Sequence, residues 1–525
     1  MHPPSWLLPT MRGYRASWAR SDVLAGLATG TVVIPQAMAY ATIAGLPVEV
    51  GLYTCLLPMA AYGLLGGSRA LSVSTTSTIA VLVASTLATL SDRSDAELLG
   101  AAFTLTLLVG ACLLLMRLAR LGSIVESISP ATMTGIRIGV GLTVLASQLP
   151  ALLGLPTDPE GGGFFAQVAD VVRHLPDLSG VTAVVGIGAV AVLFVLRRWA
   201  PAIPGPLVVV VAGIVLVAAT AVEDRGLALI DPVPTGLPSL SLPVGGDVLA
   251  LLPGAVAIAL MSFLETVLVA RTNRRRGEPV IDVDRELVAT GIGALAGGLT
   301  QSLPPAGGFS QSAVNLRSGA RTQLSGLVTV GLALLVALFL APLLADLPRA
   351  ILAAMVLVAV AGLLDPRDLF MYAHVDRYEL GVALIVAALG LTGGMLLGVA
   401  VGVGLTLVLV IRAVNLPRVN ALETTSDAVL PLLVTGNLYT GNAQATHDAA
   451  LVLIMDDPTR PTVTLDVSRV TYVTVPLLDM LRTLRDDVDS EGRRLVLVGA
   501  SPKILSVMRR VPWFVAAERD GFVRS

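Results

Sequence analysis

Between Asp22 and Arg412 the chain alternates long apolar stretches with short polar breaks. A helix needs about 20 mostly apolar residues to cross a bilayer, and in lipid the backbone must satisfy its own hydrogen bonds, which leaves helices as the spanning element. The pattern predicts spans at 22–46, 51–66, 72–90, 97–116, 123–149, 181–197, 204–222, 247–270, 286–303, 309–320, 323–346, 349–364, 379–393 and 394–412. That makes fourteen, some of them short.

Past Asn415 the pattern changes. The stretches "DAVLPLLV" (427–434), "PTVTLDVS" (461–468) and "RRLVLVGA" (493–500) read as short buried strands. Between the last two, Leu477, Leu478, Leu481, Leu484 and Val488 recur at three- and four-residue spacing, and the run ends in charges and Gly492. This is an amphipathic helix with a stop signal. Strands alternating with helices predict a small α/β domain, giving a membrane part over 1–420 and a second domain over 421–525.

Composition sharpens the reading. Of 525 residues 54% are hydrophobic and only 14% charged, against about 25% charged in soluble domains; the mean hydropathy is +0.81. The arginines orient the chain by the positive-inside rule. With the N-terminus in the cytoplasm, fourteen spans leave only Arg93, Arg173, Arg225 and Arg349 outside, and put the C-terminal domain in the cytoplasm. The cluster "RTNRRRGE" (271–278) then reads as a cytoplasmic topology anchor. A net charge of −2 leaves no nucleic-acid footprint. His2, His174, His374 and His447 lie far apart without ligand spacing. Cys55 and Cys112 fall in apolar segments and are expected as free thiols. The first residues have no uninterrupted apolar core and do not read as a secretory signal.

Two interruptions occupy matching places. "SRALSVSTTSTIA" (68–80) heads the third span and "PPAGGFSQSAVN" (304–315) heads the tenth, which is third in the second block of seven. Paired interrupted spans at corresponding positions point to a transporter built from inverted repeats, with its site near the midplane. A helix that restarts inside the membrane leaves about four N–H groups unpaired and carries about half a positive charge at that end, which is a ready anion site. Ser77, Thr78 and Ala313 read as helix-packing residues.

Four motifs in order then bring out a resemblance: "DVLAGLATGTVVIPQAMAYATIAGLPVEVGLY" (22–53), "ISPATMTGIRIGVGL" (128–142), "ETVLVARTNRRRGEPVIDVDREL" (265–287) and "GGFSQSAVNLRSGARTQLSGL" (307–327). The sequence resembles the SulP-type anion permeases, relatives of the solute-carrier anion exchangers, and its C-terminal part looks like the STAS domain they carry. The resemblance implies an all-α polytopic membrane domain of fourteen spans, arranged as two inverted seven-span repeats that form a core and a gate. It also implies an elevator-like motion, frequent homodimers, and an anion such as sulfate held between the third and tenth spans. By the same resemblance Gln36 and Tyr40 match the broken first span, Thr75 and Thr76 the start of the third, and Phe309, Ser310 and Gln311 the start of the tenth. Two departures stand out: many relatives carry Arg where Gln311 sits, and a Gly-Pro pair where this chain reads Ser74-Thr75. The STAS part reads Thr474-Val475-Pro476 where related soluble domains have a phosphorylated serine motif, so no phospho-switch is expected there.

Glu265, in "ALMSFLETVLVA", is a carboxylate squarely inside an apolar span. Intramembrane acids are costly and functional by default, and an acid beside an anion site removes its repulsion when protonated. Glu265 is therefore the expected proton-coupling residue of a symporter, with sodium the alternative ion and no cofactor or metal. Glu126 and Arg137 share the fifth span, about three helical turns apart; Arg137 reads as a structural or gating residue. The expected protein is a multi-pass transporter in the cytoplasmic membrane and not an enzyme, since no nucleophile–base pair or phosphate loop is found. The competing readings are an uncoupled anion channel or uniporter on the same scaffold, and an anion sensor signalling through the STAS domain.

Overall fold

The computed structural model describes residues 7–90, 93–120, 122, 129–156, 164–200, 203–220, 222, 226–241, 248–361, 364, 366–424 and 428–524. The chain folds as two compact units, Met1–Thr406 and Leu407–Ser525.

The first unit is helical. The elements that build its centre are α1 (Ala19–Ile43), β1 (Val73–Ser74), α2 (Ser77–Leu87), α3 (Pro130–Leu153), α4 (Val248–Thr272), α5 (Val283–Leu299), β2 (Ala306–Gly307), α6 (Phe309–Arg317), α7 (Leu324–Leu335) and α8 (Arg349–Ala361). Each of the fourteen apolar stretches carries a helix. Among the described residues eight helices are long and apolar enough to cross a membrane, while Ser77–Leu90, Gly205–Ala219 and Leu396–Leu409 are shorter apolar helices.

Local chemistry sets several boundaries. Ser129 caps α3, its Oγ accepting the Ala131 N–H at 3.1 Å, with Pro130 at the first helical position, where its missing N–H costs nothing. The helix stops at Gly154 in the left-handed conformation. The helix Asp95–Leu118 opens with a capping box between Ser94 and Glu97.

Three expectations change. The first span is not broken: α1 runs through Pro35 without interruption. Proline removes one backbone bond, and in a membrane bundle packed neighbours tolerate that; α1 is flanked by α6, α7 and α8. At Gly26 any Cβ would sit 2.4 Å from the Ser325 carbonyl, so this glycine lets α1 and α7 nearly touch. The span at 51–66 divides at Cys55-Leu56 into Val48–Thr54 and Leu57–Leu65, with Pro58 in the first turn of the second, and the helices Phe164–Arg173 and Pro366–Val375 were not anticipated. Glu126 lies outside the described residues.

The two interruptions meet. Backbone around β1 and β2 forms a two-stranded antiparallel pair, Val73 opposite Gly307 and Ser74 opposite Ala306. Short strands inside a helical membrane unit are tolerated only where protein or a cavity covers them, and all four residues are buried.

The second unit carries a four-stranded sheet in the order β3 (Val419–Ala421), β4 (Val429–Val434), β5 (Thr462–Asp466), β6 (Arg494–Val498). The β3–β4 pair is antiparallel and the other two are parallel. The parallel pairs need crossovers, supplied by α9 (Thr440–Met455) and α10 (Val475–Ser490). The anticipated strands and α10 are present; β3 and α9 are additions. Buried Leu432, Leu465, Leu477, Leu481, Leu484 and Phe514 form its core. Gly492 adopts φ +72° just past α10, the stop conformation glycine favours. Thr474 caps α10, its Oγ1 accepting the Leu477 N–H at 3.2 Å and donating to the Leu438 carbonyl at 2.5 Å, so the hydroxyl nearest the missing phosphorylation motif is committed to the fold.

Candidate functional site

Helices α2 and α6 both start at the β1–β2 crossing, and they start differently. Thr76 is the N-cap of α2, its Oγ1 accepting the Ile79 N–H at 3.4 Å. Gly308 is the N-cap of α6 and offers no side-chain cap. The end of α6 therefore keeps its amides, with their share of positive charge.

The crossing is tied by side chains. Gln311 accepts hydrogen bonds from the Ser72 and Ser74 hydroxyls at 3.2 and 3.0 Å, and donates to the Thr75 carbonyl at 3.4 Å. Ser312 Oγ accepts the Ser72 N–H at 2.9 Å. Helix α4 braces the second interruption from outside: Ser262 donates to the Pro305 carbonyl at 2.6 Å, and the Gly307 N–H donates to Thr266 Oγ1 at 3.0 Å. One turn of α4 thus presents Ser262 and Thr266 to the backbone at Pro305 and Gly307, with Glu265 between them. The Glu265 carboxylate accepts from Thr76 Oγ1 at 2.8 Å. A hydroxyl that accepts from a helix-end N–H and donates to an acid links the two groups directly.

A small cavity lies at these ends. Its lining includes Gln36 and Tyr40 from α1, Thr76, Ser77 and Thr78 from α2, Glu265 from α4, and Gly308, Phe309, Ser310 and Gln311 from α6, with Ala359 of α8. Its volume open to the centre of a water molecule is about 40 Å³, where one water takes about 10–15 Å³ on that measure. That is room for a small ion and too little for a large organic ligand. Glu265 is 6% exposed and Gln311 2%, while Ser310 is exposed. The Gln36 side-chain oxygen is buried without a hydrogen-bond partner, so it or its amide nitrogen is available to a ligand. A larger cavity of about 300 Å³, with Gln148 in its wall, also holds Asp231 and Arg349, which pair with each other at 3.1 Å. The smaller one holds the unpartnered Gln36 oxygen.

Of the residues picked from the sequence, the structure brings Gln36, Tyr40, Thr76, Phe309, Ser310, Gln311 and Glu265 to one cavity. Thr75 lies next to it, outside the lining, with its hydroxyl oxygen buried and unpartnered. Ser77 and Thr78, read as packing residues, line the cavity instead. Sequence reasoning missed Ser262 and Thr266, although hydroxyls flanking a lone intramembrane acid at −3 and +1 were a visible signal. Arg137 also enters here: its guanidinium lies over the Phe309 ring, 5.1 Å from the centroid.

A helical membrane unit with two interrupted helices meeting at a small polar cavity, followed by an α/β domain, defines a membrane transport protein. The chain belongs to the sulfate permease family, which it matches over residues 20–386, and residues 422–513 match a STAS domain. It is 37% identical over 409 residues to a probable sulfate transporter of Mycobacterium tuberculosis, covering 78% of this chain and 73% of that protein. A sodium-independent sulfate anion transporter of Bos taurus is 27% identical, covering 93% and 85%. The structure of SLC26A9 superposes with a TM-score of 0.86 at 20% identity over 99% of this chain and 90% of that one. The transmembrane domain of a cyanobacterial bicarbonate transporter gives 0.64 at 24%, over 75% and 98%. These two similarities show the fold. The relatives are named as transporters, in keeping with a protein that is not an enzyme.

Proposed function

We propose that the chain is a secondary active transporter of a small anion, coupled to protons by symport through Glu265. Sulfate is the first candidate, because it is named in the relatives; bicarbonate, chloride, nitrate and small dicarboxylates have the same need for donors around a compact negative charge. Gln36, Tyr40, Thr75, Thr76, Phe309, Ser310 and Gln311 are the proposed binding residues. The uncapped end of α6 supplies the amides, and Gln311 acts chiefly by holding the two helix ends in place. The transport part is 1–420, fourteen spans in two inverted repeats moving as an elevator. The STAS part, 421–525, and the N-terminus are cytoplasmic, and the protein works as a homodimer in the cytoplasmic membrane with no cofactor beyond the coupling ion.

The observation that carries this reading is the 2.8 Å hydrogen bond between Thr76 and Glu265 at the head of α2, in the cavity where α6 begins uncapped. An ionised Glu265 repels an arriving anion, and a protonated one does not. Anion and proton entering together leave less charge to bury than either alone.

The test is uptake of a labelled anion panel into proteoliposomes, with and without an inward proton gradient, for the wild type and Glu265→Gln. Glutamine preserves an acceptor for Thr76 and removes the exchangeable proton. Accumulation that needs the gradient and disappears in the variant is the expected result. Flux independent of the gradient and intact in the variant overturns coupling and favours a uniporter or channel; no flux of any anion favours a sensor.

A further inference from the structure

We propose that Arg137 is the cation of the anion site: its guanidinium leaves the Phe309 ring to contact the bound anion, and it sets both affinity and charge preference. The inference rests on the anion-transport reading above and adds to it the charge-determining residue.

The cavity wall contains no basic side chain among its described residues. Helix-end amides provide only partial charge, and Glu265 opposes an anion whenever it is ionised. A site built for a compact anion from these parts alone is short of positive charge. Arg137, on α3, supplies it from outside the lining. Its guanidinium is 5.1 Å from the centroid of Phe309, the first residue of α6 and part of the cavity wall. Arg137 also lies within electrostatic reach of Glu265. Among the described residues no carboxylate or carbonyl is hydrogen-bonded or ion-paired to it, and the ring face holds its guanidinium. Arginines elsewhere in this chain find such partners: Arg349 takes Asp231, and Arg509 takes Glu518.

A ring face holds a guanidinium weakly. Such contacts are worth less than a charge-assisted hydrogen bond to an oxyanion, whose geometry matches the planar fork of arginine. Phe309 is thus a resting place that keeps the charge beside the cavity without filling it. The long side chain is half-buried and lies on a different helix from every residue in the lining, so its reach into the cavity depends on how α3 sits against α2 and α6. An anion at the end of α6 competes with both the ring and Glu265 for the same guanidinium.

The experiment compares the full-length wild type with Arg137→Gln, Arg137→Lys and Phe309→Leu. Labelled sulfate and chloride uptake is measured in proteoliposomes, alongside sulfate- and chloride-dependent thermal stabilisation of the purified proteins. Arg137→Gln is expected to raise the KM for the transported anion about tenfold, the loss of one charge-assisted contact, and to narrow the preference between divalent and monovalent anions. Arg137→Lys should recover part of the affinity, since it restores the charge without the fork. Phe309→Leu removes the ring and should change Vmax more than KM. An Arg137→Gln protein that is monodisperse, keeps the wild-type KM and keeps its charge preference overturns the proposal. If the wild type transports nothing, yet sulfate stabilises it and fails to stabilise Arg137→Gln, the transporter reading falls and the Arg137 site stands. If neither anion stabilises or crosses with the wild type, both fall.

Discussion

The crossing of the two interruptions makes Gly308→Ala an informative substitution. Gly308 has an ordinary φ of −90°, so alanine brings no backbone strain; the objection is spatial. A Cβ there would lie 2.0 Å from the Gln311 side-chain nitrogen and 2.5 Å from its Cδ and Cγ. Real carbon atoms do not approach so closely, so the Gln311 carboxamide must swing out. Ser72 and Ser74 then lose their shared acceptor, and both are buried. An unsatisfied buried hydroxyl costs about 1–3 kcal/mol. Because the Ser74 hydroxyl keeps the Thr75 carbonyl at 3.2 Å as a second acceptor, the cost falls chiefly on Ser72, and about 2 kcal/mol is the appropriate size. That free energy acts against the geometry that presents the two helix ends to an anion. Apparent affinity falls with the fraction of molecules holding that geometry, so KM should rise by up to about thirtyfold. The assay is concentration-dependent uptake in proteoliposomes, with Gln311→Ala and the double variant beside it. Gln311→Ala loses the same bonds without any clash, and the double variant should be no worse than Gln311→Ala alone, a strongly non-additive cycle. A wild-type KM in Gly308→Ala, or full additivity of the two changes, would refute the reasoning.

Other expectations follow from the same geometry. Asp22 is fully buried and accepts the Arg321 and Thr322 N–H groups at 2.6 and 3.1 Å and the Thr322 hydroxyl at 2.7 Å. Asp22→Asn removes the charge that receives two backbone N–H groups and leaves the Thr322 hydroxyl to accept from the new amide instead of donating, which should cost about 1–3 kcal/mol and show as a lowered midpoint in detergent thermal-shift measurements; an unchanged midpoint would remove the assignment. In the C-terminal unit the Arg509 guanidinium grips Glu518 with contacts of 2.6 and 2.9 Å and holds its carboxyl below the usual range. A lowered carboxylate pKa contributes stability that is present above the unfolded value and lost as pH falls through the folded one. The thermal advantage of the wild type over Glu518→Gln should therefore be full at neutral pH and fade below about pH 4; an advantage that grows on acidification contradicts the assignment.

Much of the plan is legible in the residues because membrane insertion leaves few solutions. Apolar runs mark helices since lipid demands internal backbone pairing, and every run from Asp22 to Arg412 carries one. Turn chemistry inside such a run is equally visible: Pro304-Pro305 and Gly307-Gly308 could not continue a helix, and they do not. The α/β part showed itself by its change of period, although β3, with only three residues, and α9, whose apolar face is weakly patterned, did not. Pro35 misled because proline signals a missing hydrogen bond and not a break; whether the helix carries on depends on neighbours that sequence does not display.

The contacts that define the site were the least legible, and their span along the chain is the reason. Gln311 meets Ser72 and Ser74 across more than two hundred positions, and Thr76 meets Glu265 across nearly as many. Residue type indicates that a buried polar group needs a partner and never which one. Hence Gln311 read as a ligand-binding amide, and nothing in the sequence showed that its carboxamide also holds the crossing. Ser77 and Thr78 read as small packing residues, whereas they face the cavity. Arg137 makes the point most sharply. An arginine in an apolar span announces a function, and an eleven-residue offset from Glu126 suggested a relation within one helix. Its contact is instead a phenylalanine 172 positions away. Composition can show that a site lacks cations, and only the packing of α3 against α2 and α6 shows where the nearest cation stands.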